Sequence, residues 1–79
     1  MPKLKVLSGK EVLKIFASFG FQEIYRKGSH VKLRRVVDGQ KQTLTLPDHK
    51  NLNKGLLKAL INQASEYISR DKLIPHFYH

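Results

Sequence analysis

The stretch His30-Val31-Lys32-Leu33-Arg34-Arg35-Val36-Val37-Asp38-Gly39-Gln40-Lys41-Gln42-Thr43-Leu44-Thr45-Leu46 decides how this chain folds. Asp38-Gly39 stands near its middle, and both residues tolerate the positive φ that a two-residue hairpin turn demands. On either side, apolar and polar residues alternate with the period of a β-strand. The spacing predicts strands over 30–37 and 40–46. Pairing about the turn sets Leu33 opposite Leu44 and Val31 opposite Leu46, and these four make a core face. The same register sends His30, Lys32, Arg34, Thr43 and Thr45 to the other face. The sheet therefore has one apolar side and one basic, hydroxyl-bearing side.

Upstream, residues 21–27 read as a first strand whose alternation is not clean, with a turn at Gly28-Ser29. Before it, Ser8 and Glu11 form a capping box, and Val12, Ile15, Phe16 and Phe19 follow on one helical face, opposite Lys10, Lys14 and Ser18. Gly20 supplies the left-handed residue that ends this helix, and Phe21 packs back on it. Downstream, Pro47 ends the third strand because it cannot donate to the ladder. A polar loop, 48–53, leads to Asn53, which caps a second helix running to about Ala64 with Leu57, Leu60, Ile61 and Ala64 on its buried stripe. Ser69 is placed to cap a last short helical turn that stops near Pro75, followed by a loose tail carrying His76 and His79. The order α-β-β-β-α defines an α+β fold: a three-stranded antiparallel sheet with two helices packed on one face.

Seventy-nine residues make one domain, spanning 1–79, and a chain this short buries only a modest core. With no cysteine, disulfides and thiolate metal sites are excluded. Neither a spanning apolar stretch nor the apolar run of a signal peptide is found near Met1-Pro2-Lys3-Leu4-Lys5, so a cytoplasmic protein without membrane attachment is expected. Charge says more. Fifteen Lys and Arg face six Asp and Glu, a formal net charge of +9. Between Arg26 and Lys54, eight basic residues (Arg26, Lys27, Lys32, Arg34, Arg35, Lys41, Lys50 and Lys54) face only Asp38 and Asp48. Such a field attracts a polyanion, above all a nucleic-acid backbone; a merely soluble basic surface, or a face that docks on an acidic protein, is the rival reading.

His30 opens a strand beside a glycine turn, on the polar face, with Lys32 and Arg34 two and four residues on. Metal-free RNA cleavage needs a base for the 2′-OH proton, an acid for the leaving 5′-oxygen, and cations for the crowded phosphate. Histidine titrates near neutrality and serves in either proton role. Lys27, Lys32 and Arg34 are placed to hold phosphate. On these residues alone, a surface histidine without a task is the favoured reading. Ser29 can donate to phosphate or merely shape the turn. His49 ends the third strand where His30 begins the second, so antiparallel register brings them together. His49 is then the second acid, a phosphate contact, or an exposed loop histidine. Lys50 and Lys54 add charge to the positive end of the second helix, either as a phosphate site or as an ordinary solvated pair. For Tyr25, Tyr67 and Tyr78, packing in the core or at its rim is favoured over stacking on bases. No carboxylate near His30 completes a nucleophile triad, and four scattered histidines make no metal site.

Five features stand in order: Phe19-Gly20-Phe21 at a helix end, Arg26-Lys27-Gly28-Ser29-His30, the Asp38-Gly39 hairpin, Leu46-Pro47-Asp48-His49, and Lys54-Gly55-Leu56-Leu57 opening the second helix. Together they resemble the HicA family of toxin–antitoxin mRNA interferases, over roughly residues 7–74. The resemblance implies a fold similar to the double-stranded-RNA-binding domain, a core over those residues, and mRNA as substrate. It also implies a HicB-type antitoxin as partner, covering His30 and the basic face. The family's catalytic histidine lies in Gly-Ser-His, which maps onto Gly28, Ser29 and His30. No cofactor is implied. Leu56 stands where many members carry threonine, and the segment Pro75-His76-Phe77-Tyr78-His79 has no counterpart. A non-catalytic RNA-binding module explains charge and fold as well but leaves His30 idle.

Overall fold

The computed structural model describes residues 3–79; Met1 and Pro2, part of the N-terminal stretch read above, lie outside the described residues. Its elements are α1 (Gly9–Ser18), β1 (Gln22–Lys27), β2 (His30–Val37), β3 (Gln40–Pro47), α2 (Lys54–Ala64) and α3 (Arg70–Phe77). The three strands form one antiparallel sheet in the order β1-β2-β3. Leu33 pairs with Leu44 and Val31 with Leu46, the register that the Asp-Gly turn dictates. Asp38 and Gly39 both take positive φ, +51° and +78°, as the primed hairpin turn requires.

Val31, Leu33, Leu44 and Leu46 are buried with Val12 and Phe16 of α1 and Leu57, Leu60, Ile61 and Ala64 of α2 in one cluster. The helices therefore cover one face of the sheet, the arrangement expected of a double-stranded-RNA-binding-domain-like fold. The opposite face is open. Ser8 and Glu11 exchange both hydrogen bonds of the capping box, and the Asn53 side chain accepts from the Leu56 N–H.

Two departures from expectation have clear causes. The pairing of β1 with β2 slips between Glu23 and Tyr25, where Ile24 makes a β-bulge. That extra residue is why the alternation in β1 looks unclean, and it turns Tyr25 onto the open face opposite Lys32. The C-terminus corrects the expectation of a short turn and a loose tail. Helix α3 passes through Pro75, and Ser69 stands at its N-cap without a side-chain capping bond. Leu73 and Phe77 lie one turn apart on either side of Pro75 and are fully buried, with Phe77 against Phe16 at 5.9 Å between ring centroids. Burying two such side chains, at about 1.5–3 kcal/mol each, offsets the roughly 3 kcal/mol that an interior proline costs. The chain ends are paired: Lys5 N–H donates to Phe77 O and His79 N–H to Lys3 O, both at 2.8 Å. His76 packs edge-on against Phe19.

The two sheet edges are unlike. On β3, the Thr45 N–H donates to Gln63 Oε1 at 2.9 Å and Gln63 Nε2 donates to Thr45 O at 3.1 Å. One side chain of α2 thus closes that edge against further strand pairing.

Candidate active site at the start of the central strand

His30 is the first residue of β2, paired with Lys27 on one side and Pro47 on the other. Its neighbour Val31 is fully buried, so the alternation points His30 outward, and it is exposed. Lys32 and Arg34 share its face; across the ladders so do Lys27, Tyr25 and Gln22 from β1 and Thr45 and Thr43 from β3. Lys27 and Lys32 are exposed. Arg34 is half-buried, and its Nε has no hydrogen-bond partner among the described residues. Tyr25, read as a packing residue, instead stands 57% exposed on this basic face. The slip at Ile24 hid this from a period-two reading.

The turn before His30 is a two-residue hairpin with Gly28 at φ +60°, a conformation that a glycine accepts without strain. The loop after β3 holds it. Asp48 N–H donates to Ser29 O at 2.6 Å, and His49 Nε2 lies 3.2 Å from Ser29 Oγ. The predicted meeting of the two strand ends is thus realised through Ser29. Beneath the loop lies α1: Gly9 N–H donates to His49 O at 2.8 Å, and a Cβ on Gly9 would meet Asp48 Cα at 2.6 Å and the His49 nitrogen at 2.9 Å. Only glycine permits so close a passage. Lys50 lies beside His49, Asp48, Ser8 and Lys10 around a small hollow. Lys54 is exposed at the first residue of α2; among the described residues no hydrogen bond or ion pair ties it to the His30 end.

Two of the eight basic residues counted above turn inward. Arg35 lies on the helix-covered side of β2. It donates to Gln42 Oε1 at 2.6 Å, to Phe19 O at 2.8 Å and to Tyr67 O at 3.1 Å, with its guanidinium over the Phe21 ring. It thereby satisfies the C-cap carbonyl of α1, where a cation also meets the negative end of the helix, and a carbonyl in the turn that follows α2. Arg26 donates to Glu23 Oε1 at 2.9 Å and to Asp48 Oδ2 at 2.8 Å. Those two carboxylates, Glu23 first, raise its proton affinity further above that of an ordinary arginine. Sequence reasoning missed both roles, since the Arg35 and Arg26–Asp48 partners lie 16, 32 and 22 residues away. Among the described residues no three His, Asp or Glu side chains gather as metal ligands, and no helix is long and apolar enough to cross a membrane.

Fold and site together define a small, basic α+β protein with a histidine at the head of the central strand of an open sheet face. The family model described as the HicA toxin of bacterial toxin–antitoxin matches residues 9–65, and the chain belongs to that family, the toxin side of a toxin–antitoxin pairing. Neither the search of curated proteins nor that of solved structures returns a match. The matched segment stops short of α3, although Leu73 and Phe77 from that helix and Ile68 before it belong to the same core as the matched residues.

Proposed function

We propose that this toxin is an endoribonuclease, an mRNA interferase that binds RNA across the open face of its sheet and cleaves it with His30. The observation that carries the reading is the exposure of His30 on one face with Lys27, Lys32 and Arg34. In the proposed reaction the 2′-oxygen attacks the adjacent phosphorus and the bond from phosphorus to the 5′-oxygen breaks. The products are a 2′,3′-cyclic phosphate and a 5′-hydroxyl. One group takes the 2′-OH proton and one supplies a proton to the 5′-oxygen, and His30 is one of them, as acid or base. Lys27, Lys32 and Arg34 neutralise the phosphate as charge builds on its oxygens. Gly28 and Ser29 let the strand approach the turn, with the Ser29 hydroxyl as a donor. His49 is the second proton carrier or a phosphate contact, and Lys50 and Lys54 extend the basic track. No metal takes part in this scheme. The antitoxin of the pair, of HicB type, covers His30 and the basic face.

The test is cleavage of mRNA in chelator by the protein and by His30→Ala. The variant is expected to fold, to bind RNA and antitoxin, and to lose about a hundredfold to ten-thousandfold in rate. A folded variant that cleaves at the parent rate removes His30 from the chemistry. Parent activity that vanishes in EDTA and returns with magnesium removes the metal-free mechanism.

A further inference from the structure

The face opposite the proposed RNA surface carries an ion pair, Arg26 with Asp48, beside the turn that precedes His30. Arg26 pairs with Val31, which is fully buried, so its side chain lies on the helix-covered side of β1 while Lys27 lies on the open side. It reaches across β2 to the loop after β3. There Asp48 grips the turn at both ends. Its carboxylate takes the Arg26 guanidinium, two residues before Gly28, and its N–H takes the carbonyl of Ser29, the residue before His30. The Asp48 side chain is only 13% exposed, so this contact is sheltered on one side. Asp48 is in turn seated on Gly9, where no Cβ fits.

The geometry points to Arg26 and Asp48 as positioning residues that hold the Gly28-Ser29 turn, and through it His30, in register for RNA cleavage. This rests on the proposed role of His30. Neither residue needs to touch RNA: Arg26 is engaged by two carboxylates and is turned away from the basic face. Held from before and after, the turn has little freedom to tilt, and Val31 anchors the far side of His30 in the core. An acid–base group must stand within hydrogen-bond reach of its proton, and small misplacements cost large factors in rate.

A positioning role and a phosphate-binding role for Arg26 give opposite signatures. In single-turnover cleavage, Arg26→Ala is expected to lose on the order of tenfold to a hundredfold in rate at saturating protein. Its RNA affinity, measured in the His30→Ala background, should keep the parent's dependence on salt, because no phosphate contact is lost. Hydrogen exchange at the Asp48 amide, which donates to Ser29 O, should quicken. Arg26→Lys preserves the charge and reaches one carboxylate, and should recover part of both the rate and the protection. Three results would overturn the inference: a parent rate in Arg26→Ala, a shallower salt slope that makes Arg26 a phosphate contact, or unchanged Asp48 exchange. His30→Ala, assayed alongside, separates the two failures. If it is inactive while Arg26→Ala is fully active, only the positioning role falls; if it is itself active, the reading of His30 falls and the positioning role with it.

Discussion

The two ends of the β2–β3 hairpin are built from similar means and held very differently. At the far end, Asp38 and Gly39 close the turn with positive φ at both residues, and the flanking Val36, Val37, Gln40 and Lys41 are exposed. Among the described residues, no side-chain hydrogen bond involves any of these six. At the near end, His30 faces Pro47, and the neighbouring turn is bound by Asp48 and His49, with Arg26 holding Asp48 and α1 packed below at Gly9. A hairpin needs only its turn residues and its alternation to set register. The additional bonds at the near end exceed what pairing requires, and they gather on the residues around one histidine. Such over-determination is what a site needs when a side chain must stand in one place.

The contrast is broken most directly by paired substitutions at the two ends. His30→Ala is expected to abolish nearly all cleavage while leaving the thermal midpoint close to the parent's, since exposed side chains away from special features contribute within about 0.5 kcal/mol. Gly39→Ala should do the reverse. Its φ of +78° is strained for alanine, so stability should fall by about 1–2 kcal/mol while folded molecules cleave at the parent rate. Denaturation and single-turnover kinetics on both variants check this. A Gly39→Ala variant that loses rate without losing stability would make the far end part of the site.

Gly9→Ala comes next in size, and it should damage both properties together. The new methyl group meets backbone at Asp48 Cα and the His49 nitrogen, and the Asp48 carboxylate as well. The loop must move, at a cost of about 1–3 kcal/mol, and with it the donor to Ser29 O. A lowered denaturation midpoint with slower cleavage of the folded fraction is expected. Full activity per folded molecule would mean that the loop absorbs the methyl group without disturbing the turn.

The far end was the most legible part of the sequence, because Asp38-Gly39 and the alternation beside it encode turn, register and face locally. The N-caps of α1 and α2, Ser8 and Asn53, were legible for the same reason. The near end was legible only in outline. Antiparallel register alone brought His49 towards His30, but the tie runs through Ser29, and the Asp48–Arg26 contact depends on side chains 22 residues apart. Local pattern carries no trace of such a pairing. By pattern Arg35 falls with the surface charge, since a half-buried guanidinium is betrayed only by the carbonyls of Phe19 and Tyr67 that it finds in three dimensions. Tyr25 was hidden by the bulge at Ile24, which shifts the face of every residue on one side of it. Helix α3 was cut short because Pro75 is a strong local stop, overruled by the burial of Leu73 and Phe77.

The smallest expected effect concerns charge along the open face, and it grades the two ends of the hairpin rather than separating them. Lys32 stands two residues from His30, whereas Lys41 pairs with Val36 near the far turn. Both are exposed cations on the same face, so a diffuse electrostatic attraction treats them alike. An RNA strand seated at His30 does not. Each phosphate that a lysine neutralises releases condensed counterions, and losing one such contact on single-stranded RNA lowers the slope of log affinity against log salt by about 0.7. Lys32→Glu is therefore expected to weaken binding and flatten the slope by roughly that amount or more, with Arg34→Glu following it. Lys41→Glu should change binding far less and leave the slope nearly as it was. Measured in the His30→Ala background, where no substrate is consumed, equal slopes for Lys32→Glu and Lys41→Glu would mean that RNA is drawn to the whole face without a seat at the near end. A slope reduced only by Lys41→Glu would place that seat at the Asp38-Gly39 turn, away from His30.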